Sequence, residues 1–118
     1  MKAELRSLDC PDLDYQGLDA PPDLDNFYLN FGAGIGPAGK IGKEFFQIQV
    51  CTPRWLVDEL EHEPYLFGRL LLIVSHWDMQ VIRGALEALC ERTEGDTWDQ
   101  IAEKLTRFTL WEFDEYRE

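Results

Sequence analysis

Two stretches in the first half of the chain alternate apolar and polar residues, which is the pattern of a half-buried β-strand. Residues 26–35 read NFYLNFGAGI, with an apolar side chain at every second position from Phe27. Residues 43–51 read KEFFQIQVC and alternate again from Phe46 onwards, which is the strongest strand pattern in the chain. We therefore predict two strands here, and a weaker first strand over residues 2–8.

The second half of the chain carries helix start signals followed by apolar residues at helical spacing. Thr52, followed by proline, predicts a helix that ends before Pro64. Asp78 predicts the start of the next helix, over the sequence DMQVIRGALEALCER. Thr97 and Gln100 form the capping box of a further helix. The predicted apolar stripe of that helix comprises Trp98, Ile101, Ala102, Leu105 and Phe108.

The remaining segments are a loop, a short apolar run and the tail. Residues 9–25 hold three prolines and six aspartates, which predicts a solvated loop. Residues 69–76 (RLLLIVSH) predict a strand covered on both faces. Residues 109–116 (TLWEFDEY) fit either a short strand or a continued helix. Because the strands come first and the helices mainly later, we predict a single α+β domain over residues 1–118, with an antiparallel sheet and helices packed on one face.

The sequence GAGIGPAGKIG imitates two nucleotide-binding motifs. It contains G-x-G-x-x-G from Gly34 and G-x-x-x-x-G-K ending at Lys40. Both motifs require a helix directly after the glycines, and no helix start signal occurs before Pro53. The second motif also needs a serine or threonine where Ile41 stands. The glycines are better explained by a hairpin turn over residues 36–42, and we predict no nucleotide and no other cofactor.

The chain is strongly acidic. It carries 23 acidic and 11 basic residues, for a net charge of −12. The segments 1–25, 26–57 and 58–118 carry net charges of −5, +2 and −9. Such a field repels nucleic acid and anionic membranes and speeds encounter with basic proteins. The charge therefore predicts a protein partner, although acidity that serves only solubility remains an alternative.

Cysteine usage and the apolar runs suggest a cytoplasmic protein. The three cysteines are far apart, without zinc-like or disulfide-like spacing, and fit a reducing compartment. We expect Cys51 and Cys90 to be core residues and Cys10 to be exposed in its loop. The N-terminal sequence MKAELRSLD has no apolar run, so it is not a signal peptide. The longest aliphatic run, residues 70–74, is too short to span a membrane.

Catalytic residues are sparse. The two serines, Ser7 and Ser75, do not lie in a G-x-S-x-G elbow. His62 follows Asp58 by four residues, a spacing that could place two metal ligands on one helix face, although a solvated helix side explains it better. We therefore predict neither a catalytic nor a metal site. A small hydrolase or metal-dependent enzyme is the alternative, which stoichiometric zinc in the purified protein would favour.

Four stretches together resemble a known family. They are Asp25-Asn26-Phe27, Phe46-x-Ile48-x-Val50, Thr52-Pro53-Arg54-Trp55-Leu56 and the ending Trp111-Glu112-Phe113-Asp114-Glu115-Tyr116. In order and spacing they resemble the immunity protein 8 family of bacterial polymorphic toxin systems. The segments TPRWL and WEFDEY are the most specific, and the likeness extends from about Ala3 to Tyr116.

This resemblance implies a small α+β intracellular antidote without catalytic activity. Such a protein binds the toxic C-terminal domain of a toxin that the same or sibling cells make and deliver. The toxin is often a nuclease, which would carry a basic groove for phosphates. The resemblance supplies no set of toxin-contacting residues, and we expect the matched Trp55, Trp111 and Phe113 to be core residues that define the fold.

Acidic residues with apolar residues among them are the candidate toxin-binding positions, since charges alone rarely give tight binding. The candidate carboxylates are Asp12, Asp14, Asp19 and Asp23 in the loop, Glu59, Glu61 and Glu63 on the first predicted helix, and Glu112, Asp114 and Glu115 in the tail. The candidate anchors are Tyr15, Leu18, Tyr65, Phe67 and Tyr116. A general protein-interaction module without a toxin partner is the alternative, and the neighbouring gene would separate the two. The oligomeric state stays open.

Overall fold

The computed structural model describes residues 1–113 of the chain, and five strands and four helices lie within them. In chain order they are β1 (Ala3–Asp9), α1 (Pro11–Gln16), β2 (Tyr28–Pro37), β3 (Glu44–Cys51), α2 (Pro53–Leu60), β4 (Leu71–Ile73), α3 (Met79–Glu91), α4 (Trp98–Leu105) and β5 (Leu110–Trp111). The predicted α+β class is confirmed.

The strands form one sheet in which β3 is central. β1, β2 and β3 pair antiparallel in sequence order. Two short strands share the other edge of β3: β4 runs parallel to it beside Gln49–Cys51, and β5 runs antiparallel beside Phe46 and Gln47. The sheet is therefore antiparallel except for the β3–β4 pair. Residues 69–76 contribute only the three residues of β4, and the exposed side chain of Ile73 contradicts the prediction of a strand covered on both faces.

One face of the sheet carries the core. Every second residue of β2 and β3 points to this face, among them Phe31, Ile35 and Val50, and all three are buried. Helices α3 and α4 cover them with side chains such as Ile82 and Leu105, which have no exposed surface. Each side chain of this kind contributes roughly 1.5–3 kcal/mol through the hydrophobic effect. The strand alternation and the prediction that helices cover one face are confirmed here.

The predicted helix caps are present. Thr52 Oγ1 accepts the Trp55 N–H at 3.5 Å, and Asp78 Oδ1 accepts the Gln80 N–H at 3.0 Å. Thr97 Oγ1 likewise accepts the Gln100 N–H at 3.2 Å. The return bond of the capping box differs from its usual form, because the Gln100 side chain accepts the N–H of Asp96. Since α4 ends at Leu105, Phe108 lies beyond the helix and is exposed, so its place in the apolar stripe was wrong.

The predicted loop over residues 9–25 contains a helix. Helix α1 has Pro11 at its first position and Gly17, with a φ of 67°, at its end. Its Leu13 is buried in the core. Cys10 immediately precedes the helix and is also buried, so the prediction of an exposed Cys10 was wrong.

The predicted hairpin joins β2 and β3, but the turn is shorter than residues 36–42. Strand β2 continues to Pro37, so Gly34 and Gly36 are strand residues. Tight packing explains them: a Cβ atom on Gly34 would lie 2.2 Å from Ser7 Oγ, and one on Gly36 would lie 2.1 Å from the Gly42 carbonyl oxygen. No helix follows these glycines within residues 38–51, which removes the structural context of a phosphate-binding loop.

The structure describes the tail only up to Phe113. Residues 110–111 form β5, so the strand alternative is correct for that pair, and residues 114–116 lie outside the described part. None of the helices within residues 1–113 is long and apolar enough to cross a membrane.

Candidate functional site

The sheet has a second face, which α3 and α4 do not cover. We call it the open face; β2 contributes Asn30 and Gly32 to it, and β3 contributes Phe45 and Gln47. Helix α2 closes one end, where the ring of Trp55 stacks on the Tyr28 ring with centroids 4.5 Å apart. The rest of the face is bordered by α1 along β2 and by β5 along β3.

A groove of about 550 Å³ occupies this remaining part, and we call it the open-face groove. Asn30, Gly32 and Gln47 form its floor. Pro11 lines it from the β2 side, and Phe45 and Leu110 line it from the side of β3 and β5. Phe45 is 47% exposed and Leu110 is 38% exposed, so these apolar side chains are accessible to a partner.

A chain of hydrogen bonds crosses the floor of the groove and ends on α1. Gln47 Nε2 donates to Asn30 Oδ1 at 3.2 Å. Asn30 in turn donates its backbone N–H to Asp12 Oδ2 at 2.7 Å and its side-chain amide to the same oxygen at 3.3 Å. Asp12 therefore satisfies an edge donor of β2 beyond the end of β1, and it holds α1 beside the groove.

A second carboxylate lies at the opposite border. Glu112 Oε1 accepts the Phe45 N–H at 3.1 Å, and the Glu112 N–H donates to the Phe45 carbonyl at 3.0 Å. This exchange fixes Glu112 next to the groove, which it lines. One cation lies nearby, since Lys43 Nζ is 5.8 Å from the centre of the Phe45 ring and donates to Ser7 Oγ.

The other predicted loop residues divide between two sides of α1. Tyr15 is 96% exposed and lines a shallow recess with Pro11, Asp12 and Tyr28, next to the groove. A different recess, beside Trp77 and Met79, collects three of the predicted residues, namely Asp14, Leu18 and Asp19. Asp23 is exposed in a turn, where its carboxylate accepts the Asp25 N–H. The structure thus brings Asp12, Tyr15 and Glu112 to the open face and leaves the rest of the loop residues elsewhere.

The segment after α2 is a second exposed surface, and we call residues 61–67 the acidic aromatic segment. Glu61 and Glu63 are exposed. Tyr65 and Phe67, 68% and 87% exposed, meet edge to face at 5.7 Å. Glu59 lies one turn earlier, within α2, and is half-buried. Of the predicted binding residues, Asp114, Glu115 and Tyr116 lie outside the described part of the chain.

The three aromatic residues that carried the family resemblance have different surroundings. Trp111 is buried and lies parallel to the Phe46 ring, with centroids 6.2 Å apart, which confirms it as a core residue. Trp55 is half-buried against Tyr28. Phe113 is exposed at the edge of Trp111, so its assignment to the core was wrong.

Candidate reactive groups within residues 1–113 form no buried catalytic arrangement. Ser75 Oγ lies 3.0 Å from His76 Nδ1, but both residues are exposed and the nearby Asp78 carboxylate caps α3. All three cysteines are free and buried, and burial raises the pKa of each thiol, for Cys90 to about 11. Their nucleophilic thiolate forms are therefore suppressed at neutral pH. Asp58 accepts the side-chain N–H of Asn26 at 2.8 Å, and within the described residues it forms no hydrogen bond with His62. Within the described residues, no three His, Cys, Asp or Glu side chains converge as metal ligands.

A family model described as Immunity protein 8 matches residues 3–116, which is nearly the whole chain. The chain belongs to the immunity protein 8 family. The resemblance of the TPRWL and WEFDEY segments to this family is therefore confirmed, and membership makes the chain an immunity protein of a toxin system. Immunity families of this kind are typically non-catalytic. No curated protein and no solved structure gives a significant match to the chain.

Sequence reasoning missed most of the residues that shape the groove of this immunity protein. Neither the floor residues Asn30, Gly32 and Gln47 nor the wall residues Pro11, Phe45 and Leu110 were candidate binding residues. The signal for Phe45 was present, because it is an aromatic residue on the otherwise polar side of a strand. The signal for the others was absent, since only the folded sheet brings α1, β2 and β5 around one groove.

Proposed function

We propose that this immunity protein neutralises its cognate toxin by binding the toxic domain directly and covering its active surface. Residues 1–118 act as one binding domain in the cytoplasm, without a cofactor and without chemistry of their own. Family membership supports the toxin system as the setting. The observation that carries the binding mechanism is the exposure of large aromatic side chains beside carboxylates, at Tyr15 near Asp12 and in the acidic aromatic segment.

The charge supports a basic partner. A net charge of −12 on 118 residues gives a strong negative field. Toxins that cleave nucleic acid need a positively charged surface for the phosphates, so a nuclease domain is the class of toxin that this field fits best. Carboxylates placed against that surface accelerate association and occupy the cations that the substrate would use.

The exposed aromatic residues support tight binding. Nanomolar inhibition requires about 12 kcal/mol of binding free energy. Tyrosine and tryptophan are enriched among the few residues that dominate such interfaces, whereas exposed charges contribute little individually. Tyr15, Tyr65 and Phe67 are solvent-exposed in the free protein, so each can bury apolar area on a partner.

The experiment is growth rescue with the toxin gene adjacent to the gene for this protein. Co-expression of the immunity protein with that toxin's C-terminal domain is expected to restore growth, and the two purified proteins are expected to form a complex. A toxin domain from an unrelated system serves as the control, which should not be rescued. Toxicity that persists although the immunity protein is folded and expressed would contradict the proposal.

A second measurement tests the electrostatic part alone. The association rate with the toxin domain is expected to fall as NaCl rises from about 50 mM to about 500 mM, because salt screens exposed charges. Rescue together with an association rate that does not change with salt would leave the toxin-binding function standing and remove the steering by charge.

A further inference from the structure

We propose that the open-face groove is an anchor site for the toxin, where it takes one apolar side chain of the toxin with a lysine or arginine beside it. The inference rests on the proposed function and adds the place and the chemistry of the contact. The occupant is thus a segment of a basic protein, recognised by an apolar groove that carboxylates border.

The walls of the groove favour an apolar side chain. Phe45 and Leu110 are partly exposed on the open face, and Pro11 lines the groove from the other side. Burying such surface against a partner is favourable. The floor amides Gln47 and Asn30 already bond to each other, and Asn30 bonds onward to α1. An apolar group can therefore cover the floor while these hydrogen bonds stay intact.

The borders of the groove favour a cation. Asp12 and Glu112 lie beside it, and their hydrogen bonds to Asn30 and Phe45 use Oδ2 and Oε1. Oδ1 of Asp12 and Oε2 of Glu112 lie in neither bond and can face a toxin lysine or arginine. Within residues 1–113 neither carboxylate forms a salt bridge. Lys43 offsets part of this charge, and its amine contacts Ser7.

Gly32 leaves the groove floor without a side chain, although packing within the fold does not require a glycine at this position. A Cβ atom on Gly32 would meet no atom within 4 Å, whereas one on Gly34 would collide with Ser7. Gly34 is therefore required by packing, and Gly32 is not. A glycine inside a strand weakens the strand and often marks a place where another molecule approaches closely. Because Gly32 has no side chain, its backbone forms part of the groove floor.

The test fills the groove without changing the fold. In Gly32→Phe the new ring enters free space on the open face, so the melting temperature should be kept while the affinity for the adjacent gene's toxin domain falls by about tenfold or more. Gly84→Phe is the matched control. Gly84 lies in α3, beyond the opposite side of the sheet, and it too has no atom within 4 Å of an added Cβ. This control should bind like wild type.

Two further variants separate the parts of the site. Phe45→Ala removes a wall at a half-exposed position and should weaken the complex severalfold at all salt concentrations. Glu112→Gln keeps an acceptor for the Phe45 N–H but removes the charge, so its severalfold loss should vanish at high salt. Calorimetry gives the dissociation constants.

The outcomes distinguish this inference from the function on which it rests. Wild-type binding together with unchanged affinity of a folded Gly32→Phe variant would overturn the groove as anchor site and leave the immunity function standing. Normal toxin affinity of Phe45→Ala would have the same consequence, and it covers the case in which Gly32→Phe fails to fold. Absence of any complex with the wild-type protein would overturn both.

Discussion

Glu44 at the start of β3 accepts the indole N–H of Trp111 in β5 at 3.2 Å. The same carboxylate oxygen also accepts the indole N–H of Trp98 in α4. One half-buried side chain therefore ties the first residue of the central strand to the last strand and to the last helix. Both indoles pack around Phe46 in the core, so Glu44 fixes the orientation of two large core residues.

We expect Glu44→Ala to lower the free energy of unfolding by about 1–3 kcal/mol, because two indole donors lose their acceptor. Glu44→Gln should lower it less, since its amide oxygen can still accept. Urea denaturation followed by tryptophan emission measures both. Glu87→Ala, at an exposed position on α3, is the control and should stay within about 0.5 kcal/mol of wild type. A Glu44→Ala variant as stable as this control would contradict the assigned role.

The two packed glycines of β2 should respond differently to the same substitution. Gly36→Ala places a Cβ against the backbone oxygen of Gly42, which cannot rotate away. We therefore expect the free energy of unfolding to fall by about 1–3 kcal/mol. Gly34→Ala collides instead with the Ser7 hydroxyl and the Lys43 side chain. Adding Ser7→Ala should therefore recover part of the stability of Gly34→Ala and none of that of Gly36→Ala. Equal rescue of both variants, measured by thermal unfolding, would disprove this distinction.

Thr52 combines two roles at the junction of β3 and α2. It is fully buried, and its Oγ1 accepts the N–H of Phe27 at 3.2 Å as well as the cap bond from Trp55. Thr52→Ala should cost about 1–2 kcal/mol, because a buried donor is left without a partner and the helix loses its cap. Thr52→Ser keeps the hydroxyl and should retain most of the stability. If the serine variant were as unstable as the alanine variant, the lost methyl group and not the hydrogen bonds would explain the effect.

Much of the fold follows from local sequence signals. The alternation from Phe46 to Val50 placed the central strand, and Thr52, Asp78 and Thr97 marked the helix starts. These signals succeeded because each depends on neighbours in the chain, either a strand period or a cap within the first turn.

Features that depend on distant contacts could not be predicted in this way. Helix α1 has only six residues, too few to show a helical period, and Leu13 and Asp12 hold it against distant parts of the fold. The sharing of one β3 edge by β4 and β5 likewise has no local signature. The fold brings three of the candidate binding residues, Asp12, Tyr15 and Glu112, to the open face, whereas the apolar lining of the groove arises only when the sheet forms.

The buried thiol of Cys90 makes stability depend on pH in the alkaline range. Burial, with smaller contributions from the charges of Glu87 and Glu4, raises the pKa of Cys90 from 9.0 to about 11. Below about pH 9 the Cys90 thiol is protonated in both the folded and the unfolded protein, so its raised pKa makes its full contribution to the free energy of unfolding. Between about pH 9 and pH 11 the unfolded chain loses this proton while the folded protein keeps it, and the free energy of unfolding therefore falls as pH rises.

The size of this effect is about 1.4 kcal/mol per pH unit at most, which gives roughly 2–3 kcal/mol over the whole interval. Cys10 and Cys51 act in the same direction, because burial raises the pKa of each. We expect the Cys90→Ala variant to show a shallower decline than wild type when urea unfolding is measured from about pH 8 to pH 11. The variant also loses packing at all pH values, so the slope and not the absolute stability is the informative quantity. Identical slopes for the two proteins would show that the Cys90 thiol does not stay protonated in the folded state at alkaline pH.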